Sequence, residues 1–338
     1  MNFEKVSIVS VRHVDAPHRV TSAEIQERLS ETMERLNVKP DLLESVAGIR
    51  ERRYWDEGFE PSDGATLAAR AVFDDCDIDP ARLGTLINTS VCRDYIEPST
   101  ACLVHGNLKL PASCTNMDVG NACLAFFNGI EIVGNMIERG QIDYGMIVDA
   151  ESSRFLTEST IARLQRSSTD MKTFYEEFAS LTTGSGAVAM LLANSDLAPD
   201  GHSFKGTVSL AATEHNRLCL GQIERGWTDT KGLMLAGIEL SKRTWIKAHE
   251  ELGLSDAEVD QYCLHQVSTV HAHQLAASLG VSLEKALLIV REYGNVGPAS
   301  VPMVLSMALD KGRIKSGDRI VLAGIGSGLN CMVGEVIW

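Results

Sequence analysis

The chain is predicted to be an α/β protein built from two similar halves, and two observations support this. Around Cys123, a short strand at residues 114–119, a polar turn, an apolar helix at 124–137 and a strand at 144–148 follow one another. Three short patterns of the first half also recur, in the same order, in the second half. Two copies of one α/β unit would place their strand ends, and therefore their loops, around one shared centre.

Each recurring pattern comes directly before a predicted strand or forms one. The matched pairs are Cys76–Leu83 with Gly253–Val259, Ile142–Val148 with Gly317–Leu322, and Gly184–Gly186 with Gly326–Gly328. A turn-rich linker covers residues 194–203. We therefore assign residues 1–193 to the first half and residues 194–338 to the second.

The elements of the first half follow from apolar periodicity and turn residues. Thr21 and Glu24 form a capping-box pattern, which begins a helix with Ile25 and Leu29 on its apolar face. The other predicted elements are a strand at 6–11, a basic and aromatic loop at 48–55, a helix at 65–76, a strand at 83–90, a loop at 93–100, a helix at 101–108, a polar helical insertion at 151–181 and a strand at 184–192.

The second half is predicted on the same grounds. Its elements are a strand at 205–212, a helix at 232–252, a strand at 259–264 that ends at His265, a helix reaching residue 279, a tight loop at 294–300 that leads into a helix, and strands at 319–323 and 330–337 around a glycine turn at 324–328.

Composition excludes several classes of protein. The net charge of -14 argues against a nucleic-acid-binding surface, which is normally basic. The N-terminus is charged where a signal peptide would be apolar, and no run of about 18 apolar residues predicts a membrane span. The eight cysteines are scattered without metal-ligand spacing, which favours a reduced, cytoplasmic protein. His271 and His273 are too close a pair to argue for a metal site, so no metal is predicted.

Cys123 lies at the start of the predicted buried helix. The first N–H groups of a helix have no intrahelical partner and carry partial positive charge. A thiol held there has its thiolate form favoured, and the thiolate is the nucleophile. The alternative is an inert core cysteine, because free cysteines are commonly buried.

Three other loops at strand ends carry His265, Asn295 and the turn around Ser327. Attack of a thiolate on a thioester creates an oxyanion, which backbone N–H groups at a helix start and in a glycine turn can stabilise. His and Asn side chains can donate two more hydrogen bonds to a second carbonyl. Taken singly, His265 also fits a core histidine and Asn295 a left-handed turn residue. The ordered set of Cys, His and Asn favours an active site.

These motifs resemble the thiolase-like condensing enzymes, specifically the ketoacyl synthase III branch, over essentially the whole chain. The motifs are Asp118–Cys123, His265–Gln266, Gly294–Ser300, Gly324–Gly328 and Gly48–Arg50. The resemblance implies a thiolase fold, with two βαβαβαββ halves in a five-layer αβαβα arrangement, and a homodimer.

The same resemblance implies roles for individual residues. Cys123 would be acylated, His265 and Asn295 would hold the carbonyl of a second thioester, and the N–H groups of Cys123 and Ser327 would form the oxyanion hole. No cofactor is implied, since coenzyme A thioesters are the substrates.

A narrower resemblance links residues 14–18, 88–100 and 324–331 to the branch that joins two long-chain acyl-CoA molecules in head-to-head olefin biosynthesis. Synthases that use malonyl thioesters form their carbanion by losing carbon dioxide, whereas two unactivated acyl thioesters require removal of an α-proton. A carboxylate in a dry site can act as that general base. The resemblance implies that Glu97 does so in the active site of the neighbouring subunit. The alternative is an exposed loop carboxylate.

Two departures favour acyl-CoA over carrier protein as the acyl donor. The residues after His265–Gln266 lack the Asn and Arg of relatives that use malonyl-carrier-protein, and Val46 stands where those relatives often have a basic residue. The 48–55 loop is either a solvated salt-bridging loop or a site for an anionic group. On the second interpretation, the candidates for contacting the phosphates and adenine of CoA are Arg50, Arg52, Arg53 and Trp55.

The resulting prediction is a non-decarboxylative Claisen condensation of two long-chain fatty acyl-CoA molecules to a 2-alkyl-3-oxo fatty acid. This would be the first step of long-chain olefin biosynthesis, with downstream enzymes of that pathway as further partners. One alternative is a decarboxylating 3-oxoacyl-ACP synthase III or a related synthase that forms pyrones or resorcinols. Another, from a different class, is a non-catalytic acyl-binding or scaffold subunit.

Overall fold

A mixed sheet of nine strands forms the centre of the protein, and the computed structural model describes residues 1–338. The strands are β1 Val6–Asp15, β2 His18–Thr21, β3 Glu51–Tyr54, β4 Thr85–Asn88, β5 Thr115–Asp118, β6 Tyr144–Glu151, β7 Gly186–Asn194, β8 His202–Ala211, β9 Cys219–Gly221, β10 Gly226–Thr228, β11 Gln261–Leu264, β12 Arg319–Gly326 and β13 Asn330–Ile337. The helices are α1 Ser22–Arg28, α2 Ser30–Arg35, α3 Leu42–Ala47, α4 Pro61–Asp75, α5 Thr100–Leu108, α6 Ala125–Glu138, α7 Arg154–Leu164, α8 Met171–Glu177, α9 Thr230–Leu252, α10 Thr269–Leu279, α11 Val290–Tyr293 and α12 Ser300–Asp310.

The strand order displays the internal repeat. Across the sheet it is β5-β4-β6-β7-β1-β8-β13-β12-β11. β4 and β6 are parallel while β6–β7 and β7–β1 are antiparallel, and β11–β12, β12–β13 and β13–β8 repeat this pattern. A parallel bridge between Tyr262 and Ala286 takes the place that β5 has in the first half. The two-half architecture is therefore confirmed, whereas the boundary at residue 193, inside the end of β7, stays a prediction.

Helices α6 and α12 lie between the two half-sheets. Neighbouring residues of a strand point to opposite faces of the sheet, so each half-sheet packs against these helices on one face and against outer helices on the other. In β7, Met190 faces the core that contains both helices, while Leu191 faces α4. In β12, Leu322 faces the same central core, while Val321 packs towards α9. The layers are thus outer helices, half-sheet, α6 and α12, half-sheet and outer helices, which confirms the five-layer thiolase fold.

Some elements differ from the prediction. The capping box at Thr21 and Glu24 is present, but the helix ends at Arg28 and a second helix begins at Ser30. Residues 48–55 contain β3, which pairs with β2 in a small two-stranded antiparallel sheet, and the β9–β10 hairpin was not predicted. Because charged residues are uncommon in strands, the run Glu51, Arg52 and Arg53 was not recognised as a strand in the sequence. None of the helices combines the length and apolar character needed to cross a membrane.

Candidate active site

Cys123 lies in a tight turn between β5 and α6. β5 ends at Asp118, Ala122 has φ 45° in the left-handed region, and Leu124 is the N-cap residue of α6. Cys123 is half-buried and belongs to none of the hydrophobic clusters, which favours a reactive cysteine over an inert core cysteine. Its N–H donates to no backbone acceptor in the chain, which leaves this group available to a ligand.

Burial makes ionisation of Cys123 unfavourable. Desolvation, followed by the Cys219 thiol and the carboxyl groups of Glu151 and Asp149, raises the pKa of the Cys123 thiol from 9.0 to about 12. This rise corresponds to about 4 kcal/mol against the thiolate. A helix N-terminus contributes at most about 2 kcal/mol in its favour. Desolvation therefore opposes the expected stabilisation of the thiolate by the field of α6, and a stabilised thiolate stays a prediction.

The glycine turn between β12 and β13 lies directly against Cys123. A Cβ on Gly326 would be 3.3 Å from the Cys123 nitrogen, so glycine is what lets the two backbones approach this closely. Asn330 Nδ2 donates to Asn121 Oδ1 at 3.1 Å and ties the turn to the cysteine loop. The Ser327 N–H, like that of Cys123, donates to no backbone acceptor. Two free N–H groups in adjacent turns are what an oxyanion hole requires.

His265 follows β11, and its backbone N–H donates to Ala323 O at 2.8 Å. Burial lowers the pKa of His265 to about 3, so its imidazole is neutral and carries one N–H. Nδ1 is buried without a hydrogen-bond partner. We assign the ring proton to Nε2, because this nitrogen can still face a ligand.

Asn295 is held by three hydrogen bonds. Its N–H donates to Thr182 O at 2.9 Å, its carbonyl accepts the Gly184 N–H at 2.9 Å, and its Oδ1 accepts the Gly297 N–H at 3.0 Å. Since Oδ1 is engaged, Nδ2 is oriented as a free donor. The Gly297 backbone also lies beside the His265 ring. The structure therefore brings together two side-chain donors on either side of Gly297.

Gly324 joins these groups to the cysteine turn. A Cβ on Gly324 would be 2.9 Å from a Leu124 methyl carbon and 3.6 Å from the His265 Cβ. Cys123, Ser327, His265 and Asn295 thus lie around one centre, formed by loops of both halves, as predicted from the repeat.

An apolar cavity begins beside this centre. Its volume is about 40 Å³, it is partly open to solvent, and it lies between the second half-sheet and helices α9 and α10. The lining residues include His265, Ile325, Trp245, Leu275 and Leu279. Its lining is predominantly hydrophobic, which suits a hydrocarbon chain.

Glu97 lies on an exposed loop and hydrogen-bonds to none of the other candidate residues. Its neighbours Tyr95 and Ile96 are exposed too, Ile96 at 90%. The chain alone therefore does not bring Glu97 into the centre, and its role as a base stays a prediction.

Two of the four candidates for contacting CoA, Arg52 and Trp55, are buried where they cannot meet it. Arg52 is fully buried and donates to Ser22 Oγ at 3.1 Å and Leu181 O at 2.9 Å. Arg53 pairs with Asp15 at 3.4 Å and covers the Tyr293 ring. Trp55 is buried and donates from Nε1 to Glu151 O at 3.0 Å. The prediction was wrong for Arg52 and Trp55, because their buried side chains are engaged within the fold, whereas that for the partly exposed Arg53 stays a prediction.

Arg50 is the exposed member of the candidates for contacting CoA. Its guanidinium lies 3.2 Å from the Glu292 carboxylate. Its proposed contact with CoA stays a prediction.

Sequence reasoning missed two buried carboxyl groups beside the centre, Asp149 and Glu151, at the end of β6. Burial raises the pKa of Asp149 and raises that of Glu151 to about 7. Thr89 Oγ1 donates to Asp149 at 2.6 Å. The available signal was the pair of acids directly after the apolar strand at 144–148.

Comparison with known proteins identifies full-length relatives. The model of the family described as 3-oxoacyl-[acyl-carrier-protein] synthase III C terminal matches residues 249–336. The acyl-CoA:acyl-CoA alkyltransferase of Xanthomonas campestris is 48% identical, and that of Shewanella oneidensis 36% identical, each over 100% of both chains.

Solved structures of Xanthomonas campestris OleA superpose with a TM-score of 0.98 at 48% identity, covering 100% of this chain and 98–100% of theirs. One has bound cerulenin, and another, a cysteine-to-serine variant, has bound lauric acid and lauroyl-CoA. Other structures carry replacements of a glutamate, a cysteine or a histidine. Those three positions are separated by the same intervals as Glu97, Cys123 and His265 in this chain.

Proposed function

The chain belongs to the OleA family of acyl-CoA:acyl-CoA alkyltransferases, and we propose that it joins two long-chain fatty acyl-CoA molecules in a Claisen condensation without decarboxylation. The product is a 2-alkyl-3-oxo fatty acid, for use in long-chain olefin biosynthesis. The observation that carries the proposal is the full-length similarity, with Glu97, Cys123 and His265 at the spacing of the three residues replaced in the relative.

In the first step, the Cys123 sulfur attacks the thioester carbon of one acyl-CoA. The oxyanion formed accepts hydrogen bonds from the N–H groups of Cys123 and Ser327, neither of which has a backbone acceptor. The bond to the CoA sulfur then breaks, and CoA leaves as a thiol with the proton that Cys123 gives up.

In the second step, Glu97 removes an α-proton from the second acyl-CoA. His265 Nε2–H and Asn295 Nδ2–H donate to its thioester oxygen as negative charge develops there. A neutral imidazole suits this donor role, which is consistent with the lowered pKa of His265. The carbanion attacks the acyl group on Cys123, the sulfur leaves and regains a proton, and hydrolysis of the remaining thioester releases the acid and CoA.

The cavity beside His265 is the proposed place for one of the two hydrocarbon chains. A chain that enters it removes apolar surface from water at about 25 cal/mol per Å². Its walls are therefore expected to contribute to the preference for long acyl groups. We propose no cofactor, because both substrates are already activated as thioesters.

The active unit is proposed to be a homodimer in which each subunit supplies Glu97 to the other. β5 pairs only with β4 and leaves its second edge free, and Met117 of this strand is exposed. A free edge strand is a template for pairing with another chain. The exposed Tyr95 and Ile96 lie on the loop that leads to α5, next to this edge. We also propose a cytoplasmic location, supported by eight unpaired cysteines.

The test is incubation of the purified protein with one saturated long-chain acyl-CoA and no malonyl compound, followed by mass spectrometry of the products. We expect the condensed acid and free CoA. Cys123→Ala should abolish acylation, whereas Glu97→Gln should leave the acyl group on Cys123 and stop condensation. A product that requires malonyl-CoA, or loss of acylation in both variants, would contradict the proposal.

A further inference from the structure

The loop that carries Glu97, here the Glu97 loop, consists of residues 89–99 between β4 and α5. Its middle residues Tyr95, Ile96 and Glu97 form no hydrogen bond with the rest of the chain. Its far end is held by Asp118, a buried carboxylate that accepts the N–H groups of Thr100 and Ala101 at 3.0 Å and 2.8 Å. The course of the exposed segment therefore depends on how the flanking residues are fixed, among them Asp94, which accepts the Ser62 N–H at 3.2 Å.

The near end is held by Glu151. The Glu151 carboxylate accepts the N–H of Val91 at 2.6 Å and that of Cys92 at 3.3 Å. Glu151 is 6% exposed and is the last residue of β6. Its backbone is fixed as well, because Trp55 Nε1 donates to its carbonyl. Two backbone N–H groups of the loop therefore bind to one fixed, buried side chain.

The same carboxylate lies against the active-site loop of its own subunit. A Cβ on Gly297 would be 3.4 Å from Glu151 Cδ and 3.6 Å from its Oε1. Gly297 is the residue whose N–H orients the Asn295 side chain. One buried side chain therefore touches both the local donor loop and the loop that leaves for the neighbouring subunit.

We propose that Glu151 is a positioning residue that acts on the neighbouring active site, by holding the Glu97 loop at Val91 and Cys92. This inference rests on the proposed sharing of Glu97 between subunits. Burial raises the pKa of Glu151, so an ionised carboxylate here costs stability. Holding the backbone of Val91 and Cys92 would explain why a carboxylate is kept at this buried position.

The test uses mixed dimers purified through two different affinity tags. A subunit with Cys123→Ala is paired with a subunit carrying Glu97→Gln, which leaves one working site: the Cys123 of the second subunit served by the Glu97 of the first. Glu151→Gln is then placed in either subunit. Glu158→Gln, at an exposed carboxylate paired with Arg28, is the matched control.

Glu151→Gln in the subunit that donates Glu97 should slow condensation roughly 10- to 100-fold, as expected for a displaced catalytic group. In the subunit that supplies Cys123 the same change removes a carboxyl group beside Cys123 and Gly297, so acylation there should change, but condensation measured from the acyl-enzyme should fall clearly less than in the other placement. Equal losses in the two placements, or a loss confined to the Cys123 subunit, would overturn the inference alone. A mixed dimer that is inactive before Glu151 is changed would refute the sharing of Glu97 and the inference with it.

Glu151→Asp is the second variant, in case Glu151→Gln does not fold. It keeps the charge but withdraws the carboxylate by one methylene, so the hydrogen bonds to Val91 and Cys92 lengthen. The same dependence on the subunit that carries the change is expected, and its absence would contradict the proposal.

Discussion

Cys123 and His265 are both neutral in the free protein, because burial removes water from the charged form of each. A thiolate–imidazolium pair, the usual activated state of a catalytic cysteine, is therefore not preformed here. Activation of the thiol has to accompany substrate binding, when the oxyanion hole receives the charge that the sulfur gives up.

This predicts the pH dependence of chemical modification at Cys123. Only the thiolate reacts with iodoacetamide, and its fraction rises about tenfold for each pH unit below the pKa. With its pKa raised to about 12, the alkylation rate of Cys123 should still increase at pH 10. Mass spectrometry of the Cys123 peptide measures the rate, with Cys123→Ser as the blank. A rate that levels off near pH 8 would instead indicate a stabilised thiolate.

At the scale of elements, the loops that carry the candidate site were predictable and the buried carboxyl groups were not. Cys123, His265 and Asn295 follow strands or precede helices, and glycines mark their turns, so pattern and position agree. Asp149 and Glu151 extend β6 beyond the apolar run at which the predicted strand stopped. Arg52 was misassigned because the sequence does not distinguish a buried arginine, whose hydrogen-bond acceptors lie within the protein, from one that binds a ligand.

The glycine turn before β7 supports the loop that carries Asn295. A Cβ on Gly184 would overlap the carbonyl oxygen of Tyr293 and lie 3.3 Å from a Val296 methyl carbon. Gly184→Ala should therefore displace Asn295, slow condensation about 100-fold and reduce the free energy of unfolding by about 1–3 kcal/mol. Acylation of Cys123 should persist.

Condensation kinetics, acyl-enzyme mass and denaturant unfolding measure these three quantities. Gly106→Ala is the control, because nothing lies within 4 Å of the added Cβ. If Gly184→Ala condensed two acyl groups at the normal rate, the Asn295 loop would not depend on this contact.

At the scale of the whole molecule, the free edge of β5 sets the expected assembly. A nine-stranded open sheet ends there without a covering element, while Met117 and the Glu97 loop expose apolar side chains nearby. Pairing of two such edges would place each Glu97 loop beside a neighbour. A complete active site would then need residues from two subunits.

A charged residue on this edge should prevent dimerisation and condensation while leaving the subunit folded. Met117→Lys places an ammonium group where two β5 strands would meet, which disfavours pairing. We expect a folded monomer by light scattering that acylates Cys123 but condenses acyl-CoA at least about 100-fold more slowly, since the base is absent. Ile246→Lys, at an exposed residue of α9, is the control. A monomeric variant with normal condensation would show that Glu97 works within its own chain.

The glycine turns of the two halves exchange support. Gly184 of the first half backs the loop of Asn295 in the second, and Gly326 of the second half backs the loop of Cys123 in the first. The reactive loop of each half therefore packs against a glycine turn of the other half, and a half produced alone would lack this support. A side chain at either glycine would press on the reactive loop of the other half, so both positions would have to stay glycine if the two halves arose by duplication.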